Sequence, residues 1–459
     1  MSRRISFALI IICSFLTLSL LQSCQSVQKG SGDKLSSGWG NDKNVRWTHD
    51  ITGKGWSSPV VSGNKVFYTS AVNETNPSAV EEEMEQPPQD EPKPPTQPQP
   101  QPQPQPQGPP PEHKEDTTYK SEVYRWEITC LDLKTGEVLW NKIAWKGNPR
   151  TNSHKGNGYA SETPVTDGKY VYAYFGMTGI YCYDMKGNLV WQKDLGAYKT
   201  QNGWGTGSSP VLYKDLIYLQ IDNEVNSFLV ALNAGTGEEK WRVPRNEKTN
   251  YSTPVIWTNN NRTELIAGGK TSRSYDPENG KLLWEMKMIG AMSIPTAVCD
   301  KEHLYIGNAG ESDSVGSLYS VKAGSNGNIT PEKGKLVSEG VEWVLPAAGT
   351  GNPSPVLYKG MIYILDSSGK NFSCFDAATG KTVYTQKLEK VAGCWATPRV
   401  YKDKLYITDE RGVTTLVKTG EKFEVIAQYR LSDKIWASTA ITDGAFVFKG
   451  AKKVWCINI

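Results

Sequence analysis

The chain has 459 residues and a formal charge of +3, with 43 Gly, 27 Pro, 15 Trp and 22 Tyr but only four His. That length means several domains or one large all-β domain, with enough buried surface to stand without disulfides, and the charge is too small for a nucleic-acid footprint. The scarce histidine argues against a His-rich metal site, while the Gly, Trp and Tyr content points to tight turns and packed strands.

Arg3 and Arg4 precede an apolar run from Ile5 to Leu21, which at about 17 residues is short for a spanning helix. The run ends in Leu21, Gln22, Ser23 and Cys24, which resembles a bacterial lipobox. Residues 1–23 are therefore expected to be a lipoprotein signal peptide, with Cys24 the lipidated residue. Residues 24–43, rich in Ser, Gly and Lys, read as a flexible tether. The body of the protein is expected to be held to a membrane of the bacterial cell envelope, the outer membrane being favoured, with its face open.

From residue 44 to 459 one unit recurs. Each copy opens on a short Ser/Thr-Pro-Val-like segment, anchored at Pro59, Pro164, Pro210, Pro254, Pro295, Pro355, Pro398 and Ala440. Successive anchors from Pro164 lie 46, 44, 41, 60, 43 and 42 residues apart. Each copy closes on a turn followed by an aromatic residue: Asp132 to Gly136 before Trp140, Asp184 to Gly187 before Trp191, and Asn233 to Gly237 before Trp241. Asp276 to Gly280 before Trp284 and Asp376 to Gly380 before Tyr384 continue the pattern. The Asp or Asn side chain can accept from backbone amides ahead of it, and the glycine takes a positive φ. Units of this length and period-two strand content predict four-stranded blades packed face to face in a ring. The last unit stops at its third strand, Val454 to Ile459. Asn44 to Asp50, with Trp47 in the closing place, can supply the fourth. The expectation is an all-β, eight-bladed β-propeller of four-stranded antiparallel blades, closed by the N-terminal strand. Blade 5 lacks the turn and carries an excursion from Gly324 to Glu342 before Trp343. Blade 7 is expected to close on Tyr429.

Residues 72–121 interrupt blade 1. Fourteen of the 27 prolines lie between Pro77 and Pro111, so the segment cannot pair into a sheet and reads as a disordered insert. Whether it also docks a partner stays open.

Repeats of this form resemble the tryptophan-docking repeats of pyrroloquinoline-quinone-type propellers, a superfamily that includes quinoprotein alcohol dehydrogenases and BamB-like envelope lipoproteins. The resemblance implies either a scaffold with a protein partner in outer-membrane protein assembly or a quinone-dependent oxidoreductase. Family quinoproteins stack the cofactor on adjacent cysteines and hold calcium beside it. This chain has no such pair and no recognisable calcium constellation, so no cofactor, no metal and no catalytic residue are expected. Cys130, Cys182, Cys374 and Cys456 share one repeat position, with Ala231, Ser274, Ser320 and Thr415 elsewhere, and read as buried strand thiols. Cys299 and Cys394 match no ligand spacing. Gly268 to Thr271 mimics the end of a phosphate loop, yet Glu264 stands where its first glycine is required.

The remaining candidate is the mouth of the ring. Trp56, Tyr251, Asn352, Trp395 and Trp436 precede inner strands, Trp204 lies slightly upstream of one, and Asn152, His154 and Asn157 enter blade 2 at the same level. Aromatic faces with amide and imidazole groups suit a sugar, a peptide strand or a planar ligand, and the expected partner is an envelope protein, an extended peptide or a glycan. The competing reading is that the aromatics wedge between blades and His154 only satisfies backbone groups. The favoured function is a non-catalytic, monomeric binding or scaffolding module with no nucleic-acid role. A quinoprotein-like oxidoreductase and a glycan-binding protein are the alternatives.

Overall fold

Period-two patterning survives only in the outermost strands. Glu239–Pro244 alternates exposed and half-buried residues, whereas its neighbours Leu216–Ile221 and Phe228–Asn233 are buried along almost their whole length. A middle strand covered on both faces needs apolar residues at every position, which is what stacking blades face to face imposes. The computed structural model describes residue 39 and residues 44–75, 121–310, 315–442 and 444–459. The expected signal peptide, Cys24, most of the tether and nearly all of the insert lie outside them.

The strands form eight sheets of consecutive antiparallel strands, arranged as the blades of a propeller. Blade 1 comprises Val60–Ser62, Lys65–Asn73, Tyr124–Asp132 and Val138–Gly147. The insert starts later than expected, since Val72 and Asn73 still pair with Arg125 and Tyr124. Blade 8 comprises Ala440–Thr442, Ala445–Lys449 and Lys453–Asn458, and its outer strand is Val45–Asp50, with Trp47 opposite Cys456. The ring is thus closed by its N-terminal strand, as the sequence predicts. Among the described residues no helix is long and apolar enough to cross a membrane.

Two devices join the blades. At the periphery the closing indole of one blade donates to a carbonyl in the turn of the next: Trp47 to Leu133, Trp140 to Met185, Trp191 to Ala234, Trp241 to Pro277 and Trp343 to Ala377, at 2.8–3.2 Å. The turn glycine lies under that indole. At Gly237, φ is +73° and a Cβ would come within 2.6 Å of the Trp191 ring. Around the axis, in seven of the eight blades, the amide before the inner strand donates to a hydroxyl of the next blade. Ser58 reaches Thr163, Thr163 reaches Ser209 and Ser209 reaches Thr253; Thr296 reaches Ser354, Ser354 reaches Thr397, Thr397 reaches Ser438, and Ser438 closes the circle on Ser58. The Ser/Thr of the opening motif is therefore a seam residue.

This belt corrects the sequence register of blade 5. Thr296 and Ala297, not Ile294 and Pro295, occupy the Ser/Thr-Pro position, and the inner strand begins at Val298. Between blades 4 and 5 the amides of Tyr251 and Ser252 donate instead to Ser293 O. Trp284 does not dock on blade 5; its Nε1 donates inward to the buried Glu264 carboxylate at 2.8 Å, which also accepts from Asn259, Arg262 and Ser274. Trp257 takes over, donating to Asp300 O. The blade 5 excursion folds back to add Gly327–Asn328, parallel, to the edge of blade 4 at Trp284 and Glu285.

Blade 7 also departs from expectation. Leu416, not Thr415, holds the repeat position occupied elsewhere by cysteine, and the residue opposite it is Ala427. Tyr429 lies two pairs further along, opposite Thr414. The missing closing indole comes from outside the repeat. Trp39, read from sequence as part of the tether, is 7% exposed and packs on Tyr406, Tyr429, Phe446 and Phe448 with ring centroids 4.7–5.9 Å apart.

Candidate functional site

The hydroxyl belt fixes which residue of each blade faces the mouth, two positions before the belt residue. In blade order these are Trp56, Ser161, Gly207, Tyr251, Ile294, Asn352, Trp395 and Trp436. Tryptophan occupies this place in three consecutive blades, 7, 8 and 1, and the three indoles form a ladder, Trp395 stacked on Trp436 and Trp56 tilted against it by 30°. The ring centroids of Trp395 and Trp436 are 4.4 Å apart, and those of Trp436 and Trp56 are 4.7 Å apart. Lys434 Nζ stands 4.4 Å from the Trp436 ring centroid, a cation–π contact. Trp395 ends the ladder and is 43% exposed.

The segment entering blade 2 bridges this ladder to blade 3. Trp56 Nε1 donates to Gly156 O at 2.7 Å, and Gly156 lies against Trp436. Asn157 Nδ2 donates to the carbonyls of Trp204 and Thr206 at 2.9 and 3.2 Å, while its Oδ1 accepts from Ser161. Asn152 faces Gly203. His154 is exposed, and its Nδ1 accepts from Gly156 N at 3.0 Å, a local backbone contact. Thus Trp56, Trp395 and Trp436 form one wall, linked through Asn152, His154, Asn157 and their loop to Trp204. Tyr251 and Asn352 stand apart from that group: Tyr251 adjoins Gly207, and the Asn352 amide donates to Ser367.

Beneath this level lie ionisable residues that the sequence reading passed over. Glu162 is buried, with Thr206 Oγ1 donating to Oε1, and burial pushes its carboxyl up to about 7 against that hydrogen bond. Lys449 is buried in blade 8, where Nζ donates to Gly55 O; burial pushes its amine down to about 7, with Asp433 opposing. Asp222 and Arg245 form a fully buried pair, Nε to Oδ1 2.8 Å and Nη2 to Oδ2 3.1 Å. The signal for Glu162 was present in the repeat, since the same place in blades 1, 3 and 4 is Ser57, Ser208 and Ser252. The described cysteines are all buried and none forms a disulfide, and Cys130, Cys182, Cys374 and Cys456 sit on separate blades opposite Trp140, Trp191, Tyr384 and Trp47. Among the described residues no three His, Cys, Asp or Glu are grouped to hold a metal ion.

Blades joined by docked tryptophans over turn glycines, closed by the first strand, define a quinoprotein-type repeat propeller. The chain belongs to the family described as outer membrane protein assembly factor BamB, whose model matches residues 125–292 and 268–442. It is 23% identical over 304 residues to tetrathionate hydrolase of Acidithiobacillus ferrooxidans, a match covering 61% of this chain and 53% of that protein. The chain thus spans about half the length of that curated relative. Among solved structures it is similar to a europium-containing methanol dehydrogenase, with a TM-score of 0.55 and 11% identity over 88% of this chain and 84% of the other. It is also similar to BamB from Moraxella catarrhalis, with a TM-score of 0.48 and 12% identity over 72% and 91%.

Proposed function

We propose that this protein is a non-catalytic, lipid-anchored binding module of a bacterial envelope that holds a protein partner in the assembly of outer-membrane proteins. The family match carries this reading, because it runs from the third strand of blade 1 to the first strand of blade 8 and therefore concerns most of the ring. The mouth is consistent with it. Trp56, Trp436 and the Gly156 loop fill one another's contacts there, and the cysteines are strand residues rather than an adjacent pair on which a quinone could stack. Function lives in the site rather than the fold, so the test is direct. The intact chain is purified from envelope extracts after mild crosslinking. Recovery of barrel-assembly components is expected, and release of the protein from the membrane by Cys24→Ala. Recovery of polysaccharide alone would move the assignment to a glycan-binding protein.

A second reading, an enzyme, has one structural observation in its favour: a buried carboxyl bonded to the Thr206 hydroxyl and pushed up by burial to about 7 has a feature that recurs in active sites. The tetrathionate hydrolase relative supplies the first substrate to try. Hydrolytic consumption of tetrathionate that is abolished by Glu162→Gln would establish this reading in place of the first.

A further inference from the structure

The seam between blades 6 and 7 has no closing indole. At the seam after blade 3, Trp241 packs in one apolar cluster with Tyr213 and Leu216, which pair across the first hairpin of its own blade. Tyr358 and Met361 are the corresponding pair in blade 6. On the other side of the seam, Thr419 N donates to Asp403 O, as Ala234 N does to Asp215 O and Ala377 N to Gly360 O. The carbonyls of Ala234 and Ala377 receive the indoles of Trp191 and Trp343. At Thr419 no indole arrives, because blade 6 closes on Tyr384. That ring packs on Phe372 and Phe423, with centroids 6.0 and 5.8 Å away, and its hydroxyl has no hydrogen-bond partner among the described residues.

At this seam lies an open groove of about 580 Å³, lined by Tyr358, Met361, Thr419 and Ile426. These residues can be reached from solvent: Tyr358, Met361 and Thr419 are half-buried, and Ile426 is 41% exposed. The volume is that of a ligand site, with room for an indole and its flanking backbone.

The rim is basic. Four lysines line it against two acids, Asp403 and Glu424. Lys359 pairs with Asp403 at 2.5 Å and Lys418 with Glu424 at 3.4 Å, so both acids are matched. The other two, Lys402 and Lys404, form no ion pair among the described residues, and Lys402 Nζ only stands 5.2 Å from the Tyr401 ring centroid. The groove therefore presents an apolar floor beside two uncompensated positive charges.

The neighbouring seam shows how this molecule fills such a gap. Blade 7 also lacks a closing indole, and Trp39, from outside the repeat, is buried there against Tyr406 and Tyr429. An aromatic side chain recruited from elsewhere is thus a part the fold already accepts, and the unpaired lysines call for acidic neighbours on it.

We infer that the groove between blades 6 and 7 docks an acidic peptide segment of a partner protein, with a tryptophan of that segment against Tyr358, Met361 and Ile426 and its carboxylates at Lys402 and Lys404. This deepens the scaffold reading and rests on it for the existence of a protein partner. Peptide binding without recovery of barrel-assembly components would keep the groove and reject that partner; recovery without peptide binding would keep the partner and reject the groove.

The test is fluorescence anisotropy of a dye-labelled peptide, one tryptophan between two pairs of glutamates, titrated with the full-length protein at low salt. Saturable binding is expected. It should weaken roughly tenfold or more in the Lys402→Glu/Lys404→Glu double variant and in Ile426→Asp, and be unchanged in Lys186→Glu, an exposed position on blade 2 across the ring. Melting temperatures show whether each variant is folded; should one unfold, a peptide series on the parent protein carries the test. Replacing the peptide's tryptophan by alanine, or its glutamates by lysines, should each weaken binding roughly tenfold or more. Equal binding of the alanine peptide would mean that charge alone holds it, and equal binding of the lysine peptide would mean that the lysine rim plays no part. Either result overturns the inference, as does the absence of saturable binding, or binding unaffected by a folded double variant.

Discussion

Lys449 and Glu162 are buried ionisable residues displaced in opposite directions towards the same pH. The Lys449 amine falls from an ordinary 10.5 to about 7. Between those values the unfolded chain binds a proton that the fold does not, so this contribution to stability grows as pH rises from 7 to 10.5 and is lost as it falls back to 7. The Glu162 carboxyl rises from 4.5 to about 7. There the fold holds a proton that the unfolded chain has lost, so its contribution is present below 4.5 and disappears as pH rises to 7. Together the two groups place a stability minimum near neutrality. Lys449→Met should raise stability at pH 7 by about 1 kcal/mol or more and remove the rise above it, and Glu162→Gln should remove the fall below it. Urea midpoints at pH 5, 7 and 10 decide both; a flat profile in the parent chain refutes them. Glu162 stands out only when the repeats are aligned, and Lys449 not even then. Lys449 shares a repeat column with Tyr174 and Gln220, a relation fixed by pairing across the blades (Val447 opposite Cys456, Tyr172 opposite Cys182) rather than by spacing along the chain.

Among elements, the turn-and-tryptophan seam was legible because both partners have rare chemistry at fixed spacing. A positive-φ glycine and an indole five residues or fewer away leave few alternatives. Gly237→Ala meets both the strained φ of +73° and the Trp191 ring, and should cost about 1–3 kcal/mol, seen as a lower melting temperature. The misplaced elements have equally physical causes. Pro295 imitates an anchor, but the belt is made by amides and hydroxyls, and Thr296 makes that contact two residues after Ile294. Tyr429 is aromatic in an outer strand, but the strand bulge between Leu416 and Val417 sets the register that makes Ala427 the closing residue. Trp39 was hidden because it belongs to no repeat and is surrounded in sequence by Ser and Gly. Trp39→Ala should cost about 3–5 kcal/mol, the range for emptying a buried tryptophan site, with faster hydrogen exchange at Leu431 and Phe446 than at the blade 2–3 seam.

For the molecule as a whole, closure is the property on which the rest depends. Val45–Asp50 covers what would otherwise be the unpaired edge of Lys453–Asn458, and an open edge invites pairing with another chain. Thr48→Pro, in the middle of that ladder, should convert the protein to concentration-dependent oligomers detectable by light scattering, while retention of a single species would show that the strand is dispensable. Fold and family could be read at this scale because every blade restates the same constraints. The chemistry of the column that holds Lys449 could not, because Tyr174, Gln220, Gly268 and Lys449 differ there, and a repeat alignment treats such differences as noise.

The position of Trp39 gives the ring a mechanical character. A pull on the N-terminus reaches that indole before it reaches the first strand. The load is therefore taken in shear by four aromatic rings lying between blades 7 and 8, and the hydrogen bonds of Val45–Asp50 are not unzipped from their end. Under force, Trp39 is the clutch: while it stays seated the closing strand is shielded, and once it slips that strand is the next part to fail.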